Sequence, residues 1–231
     1  MHLQLDRPQA TVQRPSRQLS LLATLAIVGQ LVLAATALLL PIWSEHGLIG
    51  DNISELALGR FGYLHTAAFL AAGLGTLGLA YAIRQVTRGS WGSLVGSVLI
   101  AVYGAGAIGS AVFPTDRIDD PADLSSLSAT GAIHVGIALA SFVCAIAGMF
   151  VLTRTFARDD RWRSFPRWAL GFPAAALVLL FGQGEGPLVG LMQRLLIAMF
   201  SIWLFLVALH VHASVTRTAS AATEIEWDAP A

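Results

Sequence analysis

Arg194, Gln193, His134, His65, Asp116 and Glu55 are the residues of this chain whose types and positions could do chemistry. Each lies at or just inside the edge of a long apolar run, where a polar side chain needs a reason to be. Arg194 sits about one helical turn into the last such run. A charge carried into a membrane span costs about 2.5–3.5 kcal/mol on insertion scales unless it is paired or reaches water. Asp116, Glu55 and Glu185 are its candidate partners. His134 closes the suspicious stretch from 113 to 138, which also holds Asp116, Asp119, Asp120 and Asp123.

Three chemistries fit these types. The first is a polar network in which Arg194 pairs with a carboxylate, the histidines bond to loop carbonyls and the cluster only pins the loops. The second is a site for a lipid headgroup or a small anionic ligand, with Arg194 as the anion contact and His134 and Gln193 as donors. The third is a zinc site with His65, His134 and Asp116 as ligands and Glu55 as base, a donor set suited to hydrolysis. No HxxxH, HExxH or CxxC spacing supports that third reading. Small-molecule transport is a further alternative. Coupled transport usually puts a charge near the bilayer centre, and this chain has none there. Catalysis of any kind stays open, and zinc is the one cofactor that the residue types admit.

The elements that must position these residues follow from composition. The 231-residue chain is 55% hydrophobic and 12% charged, and its mean hydropathy is +0.68. Soluble domains carry about 25% charged residues, so the chain reads as an integral membrane protein of all-α class. All fourteen basic residues are arginine, which suggests a GC-rich bacterial coding sequence. Cys144 is the sole cysteine, which excludes an intrachain disulfide. With no soluble basic domain and no aromatic platform, nucleic acid is excluded as a partner and the lipid bilayer is the expected one.

Six apolar runs, at 19–43, 62–84, 92–113, 130–153, 167–183 and 189–211, predict a bundle of six transmembrane helices. The first is too long for the 7–15-residue core of a signal peptide. The fifth barely suffices to cross. Residues 19–213 would form one membrane domain, with 1–18 and 214–231 as disordered cytoplasmic tails. Loops at 44–61 and 114–129 would face outward.

Arginine placement supports this map. Eleven arginines, Arg7, Arg14, Arg17, Arg84, Arg88, Arg154, Arg158, Arg161, Arg163, Arg167 and Arg217, fall on the side shared by both termini. Only Arg60, Arg117 and Arg194 fall on the other, which instead gathers the acidic residues. The positive-inside rule then makes both termini cytoplasmic in a multi-pass plasma-membrane protein.

Small residues should let the helices approach one another. The expected stripes are Ser97, Ala101, Ala105 and Gly109, Gly92, Gly96 and Gly104, and Ala67, Ala71 and Gly75. Trp43, Tyr63, Trp91, Trp162 and Trp168 fall where an aromatic belt would lie. His46, in a loop, His210 and His212, at a span end, are expected to be unremarkable exposed or interfacial side chains.

The order of short motifs resembles the membrane-protein family catalogued as domain of unknown function 998. The resemblance runs through Asn52-Ile53-Ser54-Glu55-Leu56 with Gly59 and Gly62, then Gly109 and Phe113-Pro114-Thr115-Asp116. It continues through Gly131 and His134 to Gly190-Leu191-Met192-Gln193-Arg194 and Trp203. Glu55 stands where the family pattern has aspartate, which keeps the charge. The resemblance implies a six-helix membrane protein, no particular activity, and motif positions at Ser54, Glu55, Asp116, His134, Gln193 and Arg194. A topology reporter fused after Ala231 should read as cytoplasmic; a periplasmic reading would overturn the six-span map.

Overall fold

The computed structural model of the chain describes residues 13–87, 89–117, 127–183 and 186–227. Asp119, Asp120, Asp123 and Glu185 lie outside the described residues, so the structure says nothing of their expected roles. Every regular element among the described residues is helical: α1 (Gln13–Leu39), α2 (Gly62–Val86), α3 (Trp91–Val112), α4 (Ala129–Phe156), α5 (Gly171–Phe181) and α6 (Val189–Trp227), with short 3-10 turns between them.

The ends of these helices are written in local chemistry. Pro41 follows the last turn of α1, where it sits in a 3-10 turn from Leu40 to Ile42, because its ring has no N–H to continue the ladder. Ser90 caps α3 by accepting from Ser93 N, and Ser128 caps α4 by accepting from Gly131 N, each filling an otherwise orphaned donor. α6 runs to Trp227, so the helix continues through most of the segment expected as a C-terminal tail. Likewise α1 starts at Gln13, ahead of the expected first span.

Five helices among the described residues are long and apolar enough to cross a membrane: Arg17–Ile42, Gly62–Val86, Trp91–Val112, Ala129–Phe156 and Val189–Arg217. The fifth apolar run behaves differently. It forms the 3-10 turn Arg167–Leu170 and then the eleven residues of α5. Together these rise about 24 Å, short of the ~30 Å of a hydrocarbon core.

Successive helices pack side by side, and α6 returns to pack on α1, so the six close into a ring in chain order. The α4–α5 seam is its most sparsely packed link. Close approach is achieved where backbones meet without side chains between them. A Cβ on Gly73 would lie 2.7 Å from the Gly104 carbonyl oxygen, and one on Gly104 would lie 2.9 Å from that of Gly73. Gly75 meets α1 at Ala26, and Gly96 meets α4 at Leu152. The expected stripes are thus partly corrected: Ala67 on α2 and Ala105 on α3 face outward, and α3 divides its glycines between two neighbours, Gly104 toward α2 and Gly96 toward α4.

The buried apolar residues fall into a large and a small cluster. The large one centres on Phe200, Trp203, Leu204, Met149, Leu152 and Ile83, toward the end of the ring that holds the 157–167 connection. The smaller one gathers Leu33, Ile53, Leu56, Phe69, Ala72 and Ile197 at the end that holds the 44–61 connection. Trp162 belongs to the first cluster, not to an interfacial belt: its ring stacks 3.6 Å from Phe156 and 4.2 Å from His210.

Replacing Gly104 by valine should force α2 and α3 apart and cost about 1–3 kcal/mol. Gly136→Ala, where an added Cβ meets nothing within 4 Å, should be neutral or slightly stabilising. Thermal unfolding in detergent, read by tryptophan fluorescence, checks the pair.

Candidate functional site

The polar residues singled out above converge on one end of the ring, where two loops are fastened to helix ends. The first fastening begins at Asn52. Its backbone N–H and side-chain amide both donate to Glu55 Oε1, at 3.3 and 3.1 Å, closing a 3-10 turn over Ile53–Ala57. That turn drives Ile53 and Leu56 into the smaller core.

α6 holds the turn from below. Gln193 Oε1 accepts from Ile53 N at 2.6 Å, Arg194 Nη1 donates to the Asp51 carbonyl at 2.6 Å and to the Gly190 carbonyl at 3.1 Å, and Leu191 N donates to the Ile49 carbonyl at 3.0 Å. Gly190 is required by this approach, since a Cβ there would collide with the Asp51 carbonyl.

Arg194 is therefore turned into protein, with 8% of its surface exposed. Asp51 and Glu55 supply the nearby negative charge. Its Nε and Nη2 are buried without a hydrogen-bond partner.

The second fastening joins α3 to α4. Pro114 disfavours helical geometry for Phe113, which adopts φ −104° and ψ 97° and frees its carbonyl. His134 Nδ1 donates to that carbonyl at 2.7 Å. Asp116 turns back onto the start of α4, where its two oxygens accept from Ser128 N at 2.7 Å and Ser128 Oγ at 2.9 Å. A negative group suits a helix N-terminus. Gly131 leaves room for that carboxylate, with which a Cβ would collide. The Phe-Pro-Thr-Asp and Gly-x-x-His motifs are thus two halves of one clasp.

His65 has a separate post. It is 0% exposed, its Nδ1 lies 3.0 Å from Thr36 Oγ1 on α1, and its ring meets Phe69 edge-on at 4.7 Å. The three residues of the zinc reading are engaged separately. Both oxygens of Asp116 are engaged by Ser128, while His65 and His134 serve different helices. Among the described residues no three His, Cys, Asp or Glu side chains gather as metal ligands. His46 also departs from expectation: it is buried, with Nδ1 3.9 Å from Asp51 Oδ2, because the loop folds over it at Gly59.

Between the two clasps lies open space in two adjoining parts. One is a groove of about 1160 Å³ along the α4–α5 seam. Its polar end is lined by Asn52, Ser54, Thr115, His134, Gln183 and Gln193, and its long flank by Leu139, Phe142, Val143, Ile146, Phe150, Leu177, Leu180 and Phe181. The other is an interior chamber of about 40 Å³, reached past Ser54, His134, Ala138, Phe142 and Gln193, which line both. Its walls bring Gln30, Thr76, Ser110 and Ser141 from four different helices. Below it, Tyr103 and Phe142 close on Phe200 at 5.2 and 5.7 Å between ring centres.

Of the expected site residues, His134 and Gln193 line this space, whereas Glu55, His65, Asp116 and Arg194 stand behind the wall and hold it. Sequence reasoning passed over Gln30 and Thr76. The available signal was an amide in the middle of an apolar run, where lipid offers it no partner.

A family model described as "Protein of unknown function (DUF998)" matches residues 16–210. The match spans most of the chain, which belongs to that family. No curated protein and no solved structure matches it. Gln193→Leu, which removes the acceptor for Ile53 N, should cost about 1–3 kcal/mol. Asp116→Ala, which uncaps α4, should cost about 0.5–2 kcal/mol; melting temperatures in detergent report both.

Proposed function

We propose that this chain is a six-pass plasma-membrane protein, with both termini cytoplasmic, that binds a lipid-like amphiphile in the groove along the α4–α5 seam. The observation that carries this reading is the distribution of polarity in that groove. One end offers hydroxyl, amide and imidazole groups, and the rest is hydrocarbon-lined. Such a gradient matches a molecule with a polar head and an acyl tail. The volume, about 1160 Å³, lies just above the range that small-molecule sites occupy, about 300–1,000 Å³, as a long chain requires.

The shortness of α5 supports entry from the bilayer. A helix that rises only part-way leaves the seam open beside α4, so an amphiphile can move in sideways without shedding its tail into water. His134 and Gln193 make the head contacts in this reading. Arg194 contributes by fixing Asp51, not by touching the ligand. Transport, which would need a way onward, is less well supported, because Tyr103, Phe142 and Phe200 floor the chamber.

Ala138 lines both the groove and the chamber, so Ala138→Trp should plug the passage between them. Lipids co-purifying with the wild type should include a species that the variant, at equal monodispersity, retains about tenfold less, which is ~1.4 kcal/mol. An unchanged lipid complement in the variant would sink the reading.

A further inference from the structure

The interior chamber has a property that the groove lacks: its hydrogen-bonding groups do not balance. Gln30 is 3% exposed, in the wall of the chamber. Its Nε2 donates to Thr76 Oγ1 at 3.2 Å. Thr76 has already given its own proton to the Ala72 carbonyl at 2.7 Å, so it can only accept from Gln30. That fixes which end of the amide is which. Gln30 Oε1 is then a buried acceptor with no partner, an arrangement that costs free energy unless a donor arrives.

The neighbouring groups lean the same way. Ser141 spends its proton on the Ile137 carbonyl at 2.6 Å. His134 spends its Nδ1 proton on Phe113, which leaves Nε2 as an acceptor in the neutral ring. Gln193 Oε1 is already taken by Ile53, so at the rim Gln193 presents its amide N–H groups, which suit a ligand oxygen. At Gln30 the chamber therefore asks for an O–H donor.

It also asks for one without charge. Among the described residues, no Asp, Glu, Lys or Arg lines the chamber or the groove. Arg194 is committed to the Asp51 and Gly190 carbonyls, Asp116 to Ser128 and Glu55 to Asn52. An ionised head moved here would lose its hydration and find no counter-charge, which is strongly unfavourable. The space itself sets the size. A water needs roughly 10–15 Å³ measured this way, so about 40 Å³ admits a head of only a few heavy atoms.

We infer that the chamber takes the head of a neutral, hydroxyl-bearing lipid of the acylglycerol type, its free hydroxyl donating to Gln30 Oε1 while its tail lies in the α4–α5 groove. This rests on the groove reading above and narrows its ligand class.

The test uses the full chain in phosphatidylcholine nanodiscs and a photoactivatable monoacylglycerol that crosslinks on illumination. Competitors of the same chain length are unlabelled monoacylglycerol, its methyl ether capped at both hydroxyls, which lacks the donor, and phosphatidic acid, which is charged. Monoacylglycerol should suppress labelling of the α4–α5 segment about tenfold better than either other lipid. Gln30→Leu should abolish the preference over the methyl ether while labelling persists. Gln30→Met, which keeps the length of the side chain and removes the acceptor, serves the same purpose if Gln30→Leu folds poorly.

If phosphatidic acid competes equally, the neutral head is wrong and the groove stands. If the methyl ether competes equally in the wild type, the chamber holds only water and the inference fails. If labelling is not saturable, the groove reading fails with it.

Discussion

The arrangement depends on one constraint: a non-helical segment packed against helix ends must find partners for its buried backbone groups, because an unpaired buried N–H or C=O is costly. The 49–53 segment meets it through α6. Arg194 donates to one carbonyl, Gln193 accepts from one N–H, and the first turn of α6 donates to another carbonyl. A buried guanidinium is an expensive way to hold a loop. Its use here makes sense because Asp51 contributes both the carbonyl it grips and a carboxylate nearby. With that loop held down, Ile53 and Leu56 complete the smaller core, and Ser54 and Asn52 are carried to the rim of the groove.

The second clasp obeys the same rule with different chemistry. Proline breaks α3, a histidine collects the carbonyl that the break releases, and an aspartate returns to neutralise the start of α4. Two loops are thus fixed at the same level. The gap between them is lined by what each clasp leaves over: one face of His134, the remaining amide of Gln193, and two short side chains of the 3-10 turn. The site is a by-product of fastening, and for that reason its polar groups are rigidly set.

Much of this was legible in the chain. Runs of apolar residues gave the long helices, and of the expected small residues Gly75, Gly96 and Gly104 mark real helix crossings. The polar residues chosen for cost and position do collect at one end. Their division of labour was not legible. Whether Arg194 faces a ligand or a loop carbonyl depends on the path of residues 49–53, and no periodicity encodes that path. Trp162 looked interfacial because hydropathy ignores what a connecting loop folds against, namely Phe156 and His210. Gln30 was hidden by context: one amide scarcely lowers the hydropathy of its run, and its partner Thr76 is 46 residues away.

The closure of the ring by α6 against α1 has a consequence for how the molecule is made. The clasp that holds the 49–53 segment draws its grips from α6, which leaves the ribosome after α1 to α5. Until that helix inserts, Ile53 N–H and the Asp51 carbonyl have no protein partner, Gln193 is absent from the rim, and the ring has a gap. Helices that insert one at a time and associate afterwards would therefore assemble the groove only once α6 has joined the ring, so the rim and the ring close in the same step.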